Sequence, residues 1–393
     1  MRHQRVVISG GSLGGLTAGL LLSDLGLDVT IHERSPAELE QRGAGIGFLP
    51  DSYRYLVDRA GVALDDISVS TSWIRYLDRA GEIIHDQAHT YRFSSWNTVY
   101  RRLLACFDRG RYLLGCEMTG FGDAGDAVRV DFAHGGAVEA DLLICADGVS
   151  SLARQRLLPD VHPSYAGYVA WRGMTPEARL DERSRLLFGD SITYFVYANS
   201  HILLYPIPGP DGSLSRGERL INFVWYRNYL EGGDVGDVLT DDAGARHEHS
   251  VPPGGVRRVH VAEMRATARA RMPGVVADVV CSAGRPFLQV VYDVAVPRMG
   301  FGRVCLIGDA AWVVRPHAAA GTAKAAADGW ALAEAIAKDD DIPGALATWE
   351  TGQLALGRQL LERTRRIGAR SQLDCNWVPG DPELIFGLRG PGQ

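Results

Sequence analysis

Three carboxylates in this chain stand where an apolar run meets a turn, a placement that suits binding the hydroxyls and phosphates of a nucleotide. Asp309 follows Gly308 after Val304, Cys305, Leu306 and Ile307. A glycine that lets the backbone approach a ligand thus precedes an acceptor suited to hydroxyls near a phosphate. Asp147 and Gly148 follow a run read as one strand over Val138 to Ile144. Gly148, Ser151 and Arg154 then recur at three-residue steps, with Ser151 and Arg154 on one face of the next helix. Glu33 ends the run Asp28 to His32, 18 residues after Gly15, where an acidic residue can bind ribose hydroxyls. Two of them have a plainer reading: an ordinary strand-loop-helix turn at Gly308-Asp309, and a helix cap with an ion pair at Asp147 to Arg154.

The elements that must position these groups are legible around them. Arg5 to Ser9 is a short strand, followed by Gly10-Gly11-Ser12-Leu13-Gly14-Gly15 and a helix through Leu16, Leu20 and Leu21. This is the β-turn-α-β layout of a dinucleotide site, with Ser12 in place of the middle glycine and Gly11 beside it. After Pro316 the composition turns strongly helix-forming, so a helix N-terminus with free N–H groups falls around Ala319 to Thr322, where an anionic ring could be held. Gly43-Ala44-Gly45-Ile46-Gly47 implies backbone freedom or close contact with a flat ligand, against a loose surface loop. Val128 to Phe132 forms a hairpin with the following run across His134-Gly135-Gly136. Further on, Ile192 to Tyr197 and His201 to Tyr205 read as a hairpin and Leu220 to Arg227 as another strand. Alternation places His201, Leu203 and Tyr205 on one face, and Asn222, Val224 and Tyr226 on one face of theirs. That face either closes over a flat polar ring or is solvated. Gly232 to Gly255 reads as a surface connection, Val261 to Met272 as a helix, Leu288 to Val296 as a strand, Pro343 to Ile367 as helix, and the remainder as a loop-like tail.

A chain of 393 residues can bury a substantial core in two or three domains. A net charge of −6 gives no bulk footprint for nucleic acid. Lys324 and Lys338 are the only lysines, an arginine bias that suggests a GC-rich genome. The six cysteines show no Cys-x-x-Cys and no metal-ligand spacing, which fits a reducing cytoplasm and predicts no metal. The start, MRHQR before an apolar run, resembles a secretory signal, but the glycine cluster interrupts the run and a new strand begins at once. No run approaches 18 apolar residues, so no membrane span is expected.

Taken in order, the glycine turn at 10–15, the Asp147-Gly148-x-x-Ser151-x-x-Arg154 array and the Gly308-Asp309 to Gly321 segment resemble the motifs of the class A, single-component flavoprotein aromatic hydroxylases. The resemblance implies an α/β fold: a Rossmann-like FAD-binding domain of the p-hydroxybenzoate hydroxylase type, with an interleaved, mainly antiparallel β-sheet substrate domain and C-terminal helices. On this chain the divisions are 1–70, 97–165 and 286–340 for FAD, 71–96 and 166–285 for the sheet domain, and 341–393 for the C-terminal part. It assigns FAD contacts to Gly10, Ser12, Leu13, Gly14, Gly15, Glu33, Arg34, Gly45, Ile46, Arg101, Asp147, Gly148, Arg154, Gly308, Asp309, Pro316, Ala320, Gly321 and Thr322. Asp309 would meet the ribityl chain, Pro316 the reactive flavin edge, and the Gly45 loop would flank the isoalloxazine and move with it. Tyr165 to Gly173, Leu204 to Gly209 and Arg315 to Gly321 are most similar to the 2,6-dihydroxypyridine 3-hydroxylases and related pyridine-ring hydroxylases. The implied activity consumes NADH or NADPH and O2 and hydroxylates an electron-rich ring through a flavin C4a-hydroperoxide. Candidates to act on the ring hydroxyl, beside Pro316, are His317, His201, Tyr205 and Tyr226. The substrate is either a small dihydroxypyridine catabolite or the pyridine ring of a natural product of the piericidin type. A flavin reductase or redox scaffold without hydroxylation is the alternative. A homodimer is expected by analogy alone.

Overall fold

In a computed structural model, residues 4–39 and 44–393 are described; Gly43 lies outside them. The first sheet runs in the order β17 (Gly300–Phe301), β18 (Val304–Leu306), β10 (Leu142–Cys145), β1 (Arg5–Ser9), β2 (Asp28–Glu33) and β6 (Tyr112–Leu114). Its pairs are parallel except β17 with β18. Register decides where the motifs meet. Ser9 pairs with both His32 and Cys145, and Cys145 pairs with Leu306. Gly10, Glu33, Asp147 and Gly308 therefore leave one edge of one sheet, the carboxyl ends of its strands, where open α/β sheets bind ligands.

Helix α1 (Leu13–Asp24) is buried nearly all round, from Leu13 to Leu22 apart from Gly14. Such a helix must be enclosed: it lies between the sheet and α9 (Gly321–Ile336), where a Cβ on Gly329 would stand 3.2 Å from the Ala18 Cα. A three-stranded meander, β7 (Met118–Asp123), β8 (Val128–Phe132) and β9 (Gly136–Ala140), packs nearby. The run expected as one strand from Val138 to Ile144 is two, because the Asp141 side chain accepts the Arg5 N–H at 2.7 Å and the chain passes there from meander to parallel sheet.

The second sheet, continuous through β15 (Ser250–Val251), β16 (Phe287–Ala295), β11 (Ser164–Pro176), β14 (Leu220–Asn228), β13 (Ser200–Ile207), β12 (Ser191–Tyr197), β4 (Val69–Leu77), β5 (Ile83–Ser95) and β3 (Gly45–Gly47), is antiparallel except where β12 meets β4. A further short strand, β19 (Trp312–Val313), pairs with β16. One face buries Trp171, Leu204, Phe223 and Trp225 in an apolar core shared with α7 (Arg258–Arg271) and α8 (Gly274–Ser282). Both indoles are satisfied, Trp171 Nε1 donating to Tyr229 and Trp225 Nε1 to Ser200 Oγ, each at 3.0 Å. The opposite face carries Tyr168, Ala170, His201, Leu203, Tyr205, Val224 and Tyr226, and the long helix α10 (Ile342–Gln372) ends against it. Helices α2 (Pro50–Asp58), α3 (Trp96–Cys106), α4 (Leu152–Leu157), α5 (Glu182–Phe188) and α6 (Gly233–Val238) complete the mixed α/β fold. Residues 232–255, expected as plain connection, thus include α6 and β15. Among the described residues no helix is long and apolar enough to cross a membrane.

Candidate active site

The nucleotide edge is built by glycines that nothing larger can replace. Gly10 has φ 105°, and a Cβ there would lie 2.2 Å from the Ala146 carbonyl oxygen; on Gly15 it would lie 2.0 Å from that of Gly10. These contacts bring the first turn of α1 against the strand ends. Ser12 stands at its N-cap without capping it by its side chain, leaving N–H groups of the first turn free for a phosphate. Glu33 is buried, its carboxylate accepting from Gly11 N and Ser35 N, each at 2.9 Å, so it shapes the loop while keeping lone pairs for a ribose. Arg34 follows it, exposed. Arg101 is exposed on α3.

At Asp147, one carboxylate oxygen accepts from Ala153 N at 3.3 Å and the other is buried without a partner among the described residues. Burial raises its pKa. Gly148, at φ 78°, makes the turn, and Ser151 caps α4 by accepting from Arg154 N at 3.0 Å. The cap reading therefore holds for Ser151, whereas Arg154 forms no salt bridge among the described residues. Its buried guanidinium donates to the carbonyls of Val149 and Ala310, the latter at 3.1 Å, tying the Asp147 turn to the Gly308 turn. Its terminal nitrogens are engaged by backbone, while Nε, also buried, has no partner among the described residues.

Gly308 has φ 58° and donates its N–H to Asp328 at 2.9 Å. No hydrogen bond reaches the Asp309 carboxylate among the described residues. It is accessible, yet surrounding protein pushes it up to about 6, with Lys324 and Arg154 pulling the other way. Beyond it, exposed Pro316 opens a short turn and Ala319 adopts left-handed φ 54°. Ala320 then stands at the N-cap of α9 with no capping side chain, so the first N–H groups, those of Gly321 and Thr322, face out of the helix end. Two uncapped helix starts, the unpaired Asp147 oxygen and the unbonded Asp309 carboxylate fit a flavin dinucleotide.

The glycine segment at 45–47 is a strand rather than a loose loop. A Cβ on Gly45 would stand 2.8 Å from both Asn222 and Tyr205, and one on Gly47 would stand 2.5 Å from Ala319 Cβ. Only glycine lets this strand, with Ile46 between, lie between the polar sheet face and the loop before α9. Gly45 N donates to Asn222 at 3.0 Å, and its carbonyl accepts from Tyr205 at 2.9 Å and Arg172 at 2.6 Å. The Tyr205 hydroxyl proton is thus committed to this strand, which separates Tyr205 from the other ring-side candidates.

Those others meet. The rings of His201 and Tyr226 lie 4.6 Å apart, Tyr226 and His317 4.7 Å, and His201 and His317 5.4 Å. All three are buried, and no hydrogen bond reaches the Tyr226 hydroxyl among the described residues. His317 Nε2 lies 2.7 Å from the Tyr168 hydroxyl, while Nδ1 is buried without a partner among the described residues. Burial lowers His201 to about 3 and His317 well below its ordinary value, the latter helped by His201 and Arg315. Both imidazoles are neutral.

A family model described as "FAD binding domain-like" matches residues 165–293. The chain is 39% identical over 390 residues to 2,6-dihydroxypyridine 3-monooxygenase of Paenarthrobacter nicotinovorans, an alignment covering 98% of this chain and 96% of that one. The solved structure of 2,6-dihydroxypyridine-3-hydroxylase from Arthrobacter nicotinovorans matches with TM-score 0.93 at 37% identity, covering 100% of this chain and 98% of that one. The 6-hydroxynicotinate 3-monooxygenase of Bordetella bronchiseptica is 27% identical over 337 residues, covering 82% of this chain and 80% of that one. This chain belongs to the FAD-dependent aromatic-ring monooxygenases.

Several groups of this flavin monooxygenase escape a reading of its sequence. Tyr168 and Arg172 lie on β11, and Gln372 and Trp377 arrive from the C-terminal end, Trp377 with its ring 4.8 Å from His201. No periodicity marks them. Lys324 was open to detection: it stands four residues before Asp328 in an apolar helix, and the two form a buried pair at 2.5 Å beneath Gly308.

Proposed function

We propose that this chain hydroxylates a hydroxypyridine or pyridone ring, with FAD as its resident cofactor and NADH or NADPH as the electron source. The observation that carries the reading is His317: it directly follows exposed Pro316, is buried and neutral, and keeps one ring nitrogen without a partner beside His201 and Tyr226. The similarity to 2,6-dihydroxypyridine 3-monooxygenase supports the same ring class. FAD supplies the redox chemistry: it takes the hydride and activates O2. The chain's own residues bind, orient and exclude water. The uncapped starts of α1 and α9 hold anionic groups. The aromatic face of the second sheet covers a flat ring and keeps water out. Neutral imidazoles hydrogen-bond a ring oxygen in its deprotonated or pyridone form, in which the ring is most nucleophilic. Six free cysteines suit the cytoplasm.

The test is NADH and NADPH oxidation by FAD-loaded protein with and without a panel of hydroxypyridines, scoring hydroxylated product against peroxide, with 18O2 to trace the inserted oxygen. Stimulated oxidation with labelled product is the expected result. Stimulation with peroxide alone points to a larger ring-bearing substrate, and no stimulation by any ring rejects the reading.

A further inference from the structure

Each of the two buried histidines has one ring nitrogen engaged by a neighbour whose donor role can be traced. At His317 the tracing begins with Tyr168, which is fully buried, so that its hydroxyl hydrogen needs an acceptor, and among the described residues His317 is the one within hydrogen-bond distance. The Tyr168 proton is then directed to His317 Nε2, 2.7 Å away. His317 is left carrying its hydrogen on Nδ1, the nitrogen that is buried without a partner.

At His201 the neighbour is Gln372, fully buried in the last turn of α10. Its Nε2 lies 3.3 Å from His201 Nδ1 and 3.1 Å from Ser371 Oγ, whose own proton points to the Gly368 carbonyl at 3.4 Å. The amide nitrogen therefore has an acceptor in Ser371 Oγ and lies within hydrogen-bond reach of His201 Nδ1. Turning the amide over would place its two N–H hydrogens where an unpaired oxygen now stands, and orphaned buried N–H groups are the rarer kind. The Gln372 backbone carbonyl accepts from the Asn199 side chain at 2.9 Å and the Asn228 side chain at 2.8 Å, which fixes the helix end on the sheet. A donor at Nδ1 puts the His201 hydrogen on Nε2.

We infer that Gln372 is a positioning residue that holds His201 in its Nε2–H tautomer, so that His201 and His317 present two N–H donors to one oxygen of the substrate ring. The partner of such a pair is an acceptor-only oxygen, the carbonyl of a pyridone or a deprotonated ring hydroxyl. A ring offering only an N–H leaves two buried donors unmatched, and a protonated hydroxyl, whose own hydrogen finds no acceptor in the pair, is the poorer match. The inference rests on the hydroxylase reading for its substrate, but not for the tautomer.

The experiment uses the FAD-loaded full chain, with nitrogen-15 NMR of labelled histidine to read the His201 tautomer and 2-pyridone as the binding probe, followed through the flavin spectrum. The wild type is expected to show the Nε2–H pattern. Gln372→Leu removes the donor and gives a tautomer mixture. Gln372→Glu, nearly isosteric, accepts at the same place and moves the hydrogen to Nδ1. Both variants are expected to bind 2-pyridone about tenfold more weakly, with KM rising more than kcat falls and FAD content unchanged. An Nε2–H signature that persists in Gln372→Glu with undiminished 2-pyridone binding overturns the inference, as does an Nδ1–H signature in the wild type. Failure of the hydroxylase reading shows separately, as absent turnover of every hydroxypyridine while the tautomer still responds to Gln372.

Discussion

At Asp309, close packing round an accessible carboxyl raises its pKa to about 6, which makes its charge depend on what binds it. A hydroxyl donor binds the ionised form better, so FAD binding draws the proton off. Above pH 6 the carboxylate is already ionised and binding is strongest; below it, binding must also displace a proton. FAD affinity is therefore expected to rise between pH 5 and 7. Asp309→Asn should weaken FAD by about tenfold at neutral pH, the scale of one charge-assisted hydrogen bond, and flatten that rise. Fluorescence titration of apoprotein with FAD at several pH values reads both. Parallel pH curves for wild type and variant would show that Asp309 does not touch the cofactor. The contrast with Arg154 is instructive: its type and spacing match the motif, yet its terminal nitrogens donate to the carbonyls of Val149 and Ala310.

Helix α10 shows how an element outside the motifs shapes the ring site. Gly368 packs on the Tyr168 to His317 hydrogen bond, and a Cβ there would lie 2.5 Å from the Tyr168 hydroxyl and 2.8 Å from His317 Nε2. Gly368→Ala must push that pair apart, at a cost of about 1–3 kcal/mol. The expected outcome is normal FAD content with lost coupling: NAD(P)H oxidation that yields peroxide in place of product. Gly352→Ala, on the same helix with nothing within 4 Å, is the control and should leave coupling unchanged. Equal coupling in the two variants would detach α10 from the site. The nucleotide edge was legible because apolar runs, glycine turns and helix starts are local signals, and parallel register then brings Gly10, Glu33, Asp147 and Gly308 together. Alternation likewise predicted the face shared by His201 and Tyr226, which pair directly across β13 and β14. The ring site was not legible in full, because its bonds join residues 149 and 171 positions apart, with no periodicity to connect them. Tyr205 shared the right face with His201, but alternation cannot tell that its hydroxyl is already taken by Gly45.

On the scale of the whole molecule, acid stability divides between groups that burial pushes in opposite directions. His32 lies buried where the meander meets the parallel sheet, stacked on Phe132 with centroids 4.1 Å apart and its Nε2 3.3 Å from Thr30 Oγ1. Burial lowers it to about 4. Arg5, Asp28, Arg129 and Glu139 line the same surface cavity, so cations and anions both face it. Unfolded, a histidine titrates near about 6.5. His32 therefore contributes stability that is complete above that value and is lost as pH falls towards 4, because the unfolded chain takes up the proton first. Asp147 and Asp328, raised by burial, and Asp309, raised by the protein packed round it, act the other way, since the folded state takes up their protons first on acidification. The total curve mixes the two, so the diagnostic quantity is a difference between variants. The stability of wild type relative to His32→Gln is expected to shrink by about 2 kcal/mol between pH 6.5 and 4, at no more than about 1.4 kcal/mol per pH unit. Urea unfolding of the two proteins across that range measures it. A gap independent of pH would mean that His32 stabilises the junction by stacking alone.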